Sequence, residues 1–219
     1  MLKYKCLVLD HDDTVVQSEK TLGFPYFKEF MSRIRPNVDL TFDEYVRGCN
    51  RLPFVDLCRE CWQFTDEELQ EEWTGWKEYL KTHIPAPYEG MDRIIHRQKK
   101  SGGLVCVVSL SGSESITRDY EAHFNMVPDI IYGWDLPKDQ QKPNPYPLQD
   151  IMARYRLEPH EILVVDDGKM AWQMARAVGV PIAFAAWSKK DFPEIAADMR
   201  QLCDLTFEQT EDLEKFLFE

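Results

Sequence analysis

Short apolar runs alternate along the chain with longer segments in which apolar residues recur at helical spacing. Residues 4–9, 104–108 and 162–165 read as buried strands, because each run is apolar, too short for a helix and bounded by polar residues. The runs at 129–132, 181–184 and 204–207 predict three further strands. Helical spacing predicts helices over 91–100 and 170–178, with Gly179 ending the second.

Two more helices are predicted from their first residues. Ser111 and Glu114 have the spacing of a capping box, which would open a helix running to about Phe124. Asn144-Pro145 fits the start of another helix, with proline in its first turn. Strands that alternate with helices predict an α/β fold, a Rossmann-like parallel sheet with helices on both faces. In such sheets ligands bind beyond the carboxyl ends of the strands.

The segment from residue 16 to 87 interrupts this alternation. It has no strand pattern, it is rich in aromatic residues, and Thr41–Glu44 and Thr65–Glu68 have capping-box spacing. We therefore expect an all-helical cap domain at 16–87, whose aromatic residues form its own core. The catalytic core would consist of residues 1–15 and 88–219.

Composition limits the possible partners and the compartment. The net charge of −12 argues against nucleic acid and against an anionic membrane surface. No apolar segment reaches the length of a signal peptide or a membrane span. Two of the six cysteines lie inside predicted strands, which indicates reduced core residues in a cytoplasmic protein. The pair Cys58 and Cys61 has no second pair and no nearby histidine, so we do not expect a zinc site.

Acidic residues follow two of the predicted strands. Asp10 and Asp12 come directly after the first strand, and Asp166 and Asp167 follow the strand at 162–165. Two carboxylates in one pocket repel each other, and a divalent cation removes that conflict. Mg²⁺ prefers such hard oxygen ligands together with substrate phosphate. The pattern predicts a magnesium site at this edge of the sheet.

Four motifs in order resemble the signature motifs of the haloacid dehalogenase superfamily. They read "LVLDHDDTV", "CVVSLS", "KPNP" and "ILVVDDGKMAWQMARAVGV". The resemblance spans residues 4–184, and the helical insertion resembles the family's α-helical (C1-type) cap. It implies a phosphatase-type hydrolase that forms an aspartyl-phosphate.

The resemblance also assigns roles to single residues. Asp10 would be the nucleophile, and Asp12 would act as general acid and then general base. Ser109 and Lys142 would hold the phosphoryl group. Asp10, Asp166 and Asp167 would bind Mg²⁺, together with the backbone carbonyl of Asp12. The carboxylate at Asp12 favours phosphate esters over carbon–halogen bonds, because a poor leaving oxygen needs a proton.

Residues around these motifs are candidates for substrate contact. They are the backbone of His11, with Asp13, Leu110 and Ser111, and in the cap Arg47 and Arg51, which flank a predicted loop "GCNRLP". Asp13 stands where the family usually has glycine, and aspartate tolerates left-handed backbone geometry. Gly168 replaces a usual serine, and Ala171 stands where a glycine or a further acid is common.

The function expected from these observations is Mg²⁺-dependent hydrolysis of a small phosphorylated metabolite by a monomer or homodimer. A β-phosphoglucomutase-like phosphomutase is an alternative, as are a phosphoaspartate receiver domain and a non-catalytic binding protein. The cap residues that select the substrate are not identified by the sequence.

Overall fold

A computed structural model describes residues 2–52 and 54–219, so that Met1 and Pro53 fall outside it. Its strands form one sheet, β1 (Cys6–Leu9), β2 (Leu104–Val108), β3 (Ile130–Tyr132), β4 (Ile162–Asp166), β5 (Ile182–Ala185) and β6 (Leu205–Phe207). The strand order is β3-β2-β1-β4-β5-β6, and every neighbouring pair is parallel. The predicted fold class is confirmed.

The longer helices of the described chain are α1 (Phe24–Ile34), α2 (Phe42–Arg51), α3 (Phe54–Trp62), α4 (Asp66–Leu80), α5 (Met91–Lys100), α6 (Ser113–Phe124), α7 (Tyr146–Tyr155), α8 (Lys169–Val178), α9 (Pro193–Leu202) and α10 (Thr210–Phe218). No helix of the described residues is long and apolar enough to cross a membrane.

The sheet is buried on both faces, because alternate residues of each central strand enter different cores. In β1, Leu7 and Leu9 pack on one side, and Cys6 and Val8 pack on the other. Helices α5, α6 and α10 cover the first face, while α7 and α8 cover the second. Strands buried on both faces read as continuous apolar runs, which is why the sequence locates them.

Contacts along the chain define two compact units, residues 1–16 with 87–219 and residues 17–86. The second unit contains α1 to α4, and both capping boxes predicted there are present, at Thr41 and Thr65. Its core is mainly aromatic, with Phe27, Phe30 and Phe64 buried. That the two units act as catalytic core and cap stays a prediction.

The predicted loop "GCNRLP" is wrong for its first four residues, because α2 continues through Arg51. Gly48 does not turn the chain here. It lets α2 approach α3 closely, since a Cβ at this position would lie 2.9 Å from the side chain of Leu57. The last residue of the predicted loop, Pro53, lies outside the described residues.

The first residue of α6 also differs from expectation. Ser111 does not cap this helix, which begins at Ser113 with Gly112 in the N-cap position. The Asp135 carboxylate caps it from outside the helix, accepting from the Ser113 amide at 2.9 Å. Ser111 is turned away because its hydroxyl donates instead to Asp12.

Glu72 on α4 provides a pH-dependent test of the second unit. Glu72 is only 7% exposed, and this burial raises the pKa of its carboxyl group to about 7. The folded protein therefore prefers the neutral carboxyl, and stability falls as the pH rises from about 4.5 through 7. We expect Glu72→Gln to raise the free energy of unfolding by about 2 kcal/mol at pH 8 and to have little effect at pH 4.5.

Denaturant unfolding at the two pH values measures this difference. The matched control is Glu67→Gln on the exposed side of the same helix, for which we expect no pH-dependent gain. Equal effects of Glu72→Gln at both pH values would contradict the assignment of a neutral buried carboxyl.

Candidate active site

The polar residues predicted at strand ends meet at one edge of the sheet. Asp10 follows β1, and its amide donates to the carbonyl of Val165 in β4 at 2.9 Å. Ser109 follows β2, and Asp166 is the last residue of β4. Because β1 lies between β2 and β4, all three side chains leave the sheet at its carboxyl edge.

Lys142 joins two of these carboxylates. Its ammonium group lies 2.7 Å from Asp10 Oδ1 and 2.8 Å from Asp166 Oδ2. All three side chains are no more than 7% exposed. Lys142 comes from the chain between β3 and α7, so residues from distant parts of the sequence form one buried ion cluster.

Burial and charge act against each other in this cluster. Burial raises the pKa of both Asp10 and Asp166, and the Lys142 ammonium opposes that rise. Burial lowers the pKa of Lys142, but the two carboxylates outweigh it and raise that pKa above its usual range. Lys142 is therefore protonated, and its charge opposes the neutral form that burial favours at both carboxyls.

Asp10, Asp166 and Asp167 form a group in which one carboxylate oxygen from each residue lies within 4.8 Å of the others. Three hard oxygen donors at this spacing fit a divalent cation such as Mg²⁺. The three carboxylates of this group outnumber the ammonium groups of Lys142 and Lys189 that contact them, which also favours the binding of a cation. An acidic cluster suited to a metal is thus present, and which metal it holds belongs to the proposal below.

Asp12 has different partners. Its Oδ2 accepts from the Ser111 hydroxyl at 2.5 Å and from the Ser109 hydroxyl at 3.4 Å. The side chain is half-buried. The two acids that follow β1 therefore have different contacts, Asp10 with Lys142 and Asp12 with two serine hydroxyls.

The loop between these acids turns sharply. The His11 carbonyl accepts from the amides of Val15 and Val16, and Asp13 adopts a φ of 53°. Aspartate thus tolerates the left-handed geometry, as the sequence predicted. The His11 ring is buried, with Nε2 3.1 Å from Asp119 Oδ2, so the ring is not available to a substrate.

The other predicted substrate residues differ in setting. Leu110 is 43% exposed directly after Ser109. In the second unit, Arg47 forms an ion pair with Asp43 at 2.8 Å, and Arg51 donates to Cys61 Sγ at 3.1 Å. That Arg47 and Arg51 contact substrate stays a prediction.

Four residues around this site were not found from the sequence. Lys189 forms an ion pair with Asp167 at 2.7 Å and lies 3.4 Å from Asp13. Ser188 lies 3.4 Å from Asp167. Asp119 orients His11, and Arg118 pairs with Asp119. The signal for Lys189 was available, because it follows β5 at the same edge of the sheet.

Comparison with known proteins gives the family. The sequence model of the haloacid dehalogenase-like hydrolases matches residues 7–185. The chain therefore belongs to this hydrolase family, as the four motifs predicted. No curated protein matches the sequence.

Solved structures share the fold at low sequence identity. A predicted phosphoglycolate phosphatase from Haemophilus somnus has a TM-score of 0.75 at 17% identity, with 99% of each chain covered. A HAD-superfamily hydrolase of subfamily IA from Geobacter sulfurreducens has a TM-score of 0.71 at 17% identity, covering 99% of this chain and 97% of that one. CbbY from Rhodobacter sphaeroides, in complex with xylulose-(1,5)-bisphosphate, has a TM-score of 0.65 at 13% identity, covering 94% and 95%.

The contribution of Lys142 to the free energy of unfolding can be tested. Lys142→Met leaves Asp10 and Asp166 buried without their cation, which should lower the free energy of unfolding by about 3 kcal/mol at pH 7.5 in EDTA. Because burial raises the pKa of both carboxyls in the folded state, the deficit should shrink as the pH falls and they become neutral. Added Mg²⁺ should restore part of the loss. Denaturant unfolding with and without Mg²⁺ measures each effect.

Lys138→Met, at an exposed lysine of the same connection, serves as the control. An equal loss at pH 5 and pH 7.5 would show that Lys142 contributes packing rather than charge.

Proposed function

We propose that this protein is a Mg²⁺-dependent phosphatase that hydrolyses a small phosphorylated metabolite through an aspartyl-phosphate on Asp10. The observation that carries the proposal is the ion cluster, in which Lys142 holds Oδ1 of Asp10. One oxygen of the nucleophile is thereby fixed, and Oδ2 is directed to attack phosphorus. Charge neutralisation and positioning are the main demands of phosphoryl transfer.

The first step would form a bond between Asp10 Oδ2 and phosphorus and break the ester bond to the leaving oxygen. Asp12 would donate its proton to that oxygen, and Ser109 would donate a hydrogen bond to a phosphoryl oxygen. Both serine hydroxyls contact Oδ2 of Asp12, which leaves Oδ1 as the atom that exchanges the proton.

The second step would use the same groups in reverse. Asp12 would take a proton from a water molecule as that water attacks phosphorus, and Asp10 would leave as a free carboxylate. Lys142 would stabilise the negative charge shared by the carboxylate and the phosphoryl group. A divalent cation held by Asp10, Asp166, Asp167 and the Asp12 carbonyl would supply further charge neutralisation.

Two observations support a small phosphorylated substrate. The Asp12 carboxylate favours phosphate esters over carbon–halogen bonds, because only the oxygen leaving group needs a proton. The similar structures include a predicted phosphoglycolate phosphatase and a protein bound to xylulose-(1,5)-bisphosphate, both names indicating small phosphorylated compounds. The six cysteines are free thiols, which supports a cytoplasmic setting. A monomer or homodimer without nucleic-acid or membrane partners completes the proposal.

Family membership sets aside the receiver-domain alternative. In receivers the paired acids end the first strand and the phosphorylated one lies on a middle strand, whereas here Asp166 and Asp167 lie at β4. A phosphomutase would use the same groups and return the phosphoryl group to the sugar. It is distinguished by its products.

The test is hydrolysis of p-nitrophenyl phosphate by the purified protein with Mg²⁺. Asp10→Asn keeps the shape of the side chain but removes the nucleophilic carboxylate, so we expect kcat to fall by about a thousandfold or more. Excess EDTA should abolish the activity, and Mg²⁺ should restore it. Released p-nitrophenol is the readout.

Asp198→Asn, at an exposed position of α9, is the control that should retain full activity. Full activity of Asp10→Asn, or undiminished hydrolysis in EDTA, would refute the mechanism. Isomerisation of a sugar phosphate without phosphate release would replace the phosphatase by the mutase.

A further inference from the structure

Lys189 is the last residue of a short helical segment, Ala186–Lys189, that follows β5. Its ammonium group lies 2.7 Å from Asp167 Oδ2 and 3.4 Å from Asp13 Oδ2. The three side chains are between 12% and 17% exposed. This second group of paired charges adjoins the Lys142 cluster, because a carboxylate oxygen of Asp167 lies within 4.8 Å of those of Asp10 and Asp166.

The surrounding structure fixes the position of this lysine. Trp187, two residues earlier, is 9% exposed, and its indole Nε1 donates to the Thr14 carbonyl at 3.1 Å. That contact ties the segment to the loop that carries Asp13. Tyr88 also adjoins the cluster, since burial first, and then the charges of Asp13 and Asp167, raise the pKa of its phenol.

Asp13 explains why a second lysine is needed. It adds a carboxylate, at a position of left-handed backbone, to a loop that already carries Asp10 and Asp12. Together with Asp166 and Asp167, four carboxylates are paired with two ammonium groups, while Asp12 contacts serine hydroxyls. Lys142 balances the Asp10–Asp166 side, and Lys189 balances the Asp13–Asp167 side.

Lys189 contacts Asp167, a member of the proposed metal cluster. Its charge should therefore change the affinity of the site for both cations and anions. It repels a cation that approaches Asp167, and it attracts a phosphate dianion that must enter an acidic site. Removing Lys189 should therefore strengthen cation binding and weaken anion binding. A lysine that served only to hold the fold together would not shift the two affinities in opposite directions.

We propose that Lys189 is a positioning residue whose pairing with Asp13 and Asp167 sets the charge balance of the site, limiting affinity for the divalent cation so that a phosphate dianion can bind. This inference rests on the proposed function, because it assumes that Asp167 binds the cation. Asp13 is the second residue of this charge balance, since its negative charge offsets the positive charge of Lys189.

Calorimetric titrations of the full-length protein test the proposal without reference to turnover. Mg²⁺ is titrated into protein freed of metal, and inorganic phosphate is titrated at saturating Mg²⁺. For Lys189→Met we expect Mg²⁺ to bind roughly tenfold more tightly and phosphate roughly tenfold more weakly. Asp13→Asn, which tolerates the same backbone geometry, should shift both affinities in the opposite directions.

Two further variants separate charge from folding. The double variant Lys189→Met with Asp13→Asn has the wild-type net charge, so both affinities should return towards their wild-type values. Lys189→Arg keeps the charge and should stay within about threefold of wild type, an order-of-magnitude margin for altered geometry. A thermal unfolding curve for each variant confirms that the protein titrated is folded.

The outcomes are distinguishable. Unchanged Mg²⁺ affinity in Lys189→Met, or weakening of both Mg²⁺ and phosphate binding, would overturn the charge-balance role. A wild-type protein that binds no Mg²⁺ at all would instead overturn the proposed function on which the inference rests.

Discussion

A buried lysine between two buried carboxylates is the interaction on which the site depends. Asp10 and Asp166 follow neighbouring strands, so the sheet brings them together whether or not their charges are compatible. At such distances in a region of low dielectric, like charges repel by several kcal/mol, and burial adds a further penalty. Lys142 lies 2.7 Å from Asp10 and 2.8 Å from Asp166, and its charge offsets both penalties. The same contact fixes one oxygen of Asp10, the nucleophile of the proposed reaction.

The other acidic residues at the carboxyl edge of the sheet differ in the side chains that they contact. Asp12 accepts hydrogen bonds from two serine hydroxyls. Asp167 lies with Lys189, within reach of Asp10 and Asp166 in a group suited to a divalent cation. Aspartate therefore occupies three different environments at the carboxyl edge of the sheet. The proposed reaction uses these differences, with Asp10 as nucleophile, Asp12 as proton carrier and Asp167 as metal ligand.

The sequence predicted what repeats along the chain and missed what depends on partners far away in it. Continuous apolar runs located every strand, and the order of the polar residues after them located Asp10, Ser109 and Asp166. Ser111 was assigned to a helix cap because local spacing allowed it, whereas Asp12 competes for its hydroxyl and Asp135 caps the helix instead. Gly48 was placed in a loop because close packing against Leu57 has no local signature. Lys189 lies after β5 at the same edge of the sheet, but its pairing with Asp13, 176 residues away, has no local signature.

The most direct test of the account is a crystal structure of the protein grown with Mg²⁺ and beryllium fluoride, which mimics a phosphoryl group on a carboxylate. We predict fluoroberyllate bonded to Asp10 Oδ2, with Lys142 still contacting the other oxygen, and Mg²⁺ bound by Asp10 and Asp167. An adduct on a different residue, or Mg²⁺ bound away from these carboxylates, would contradict the central claim.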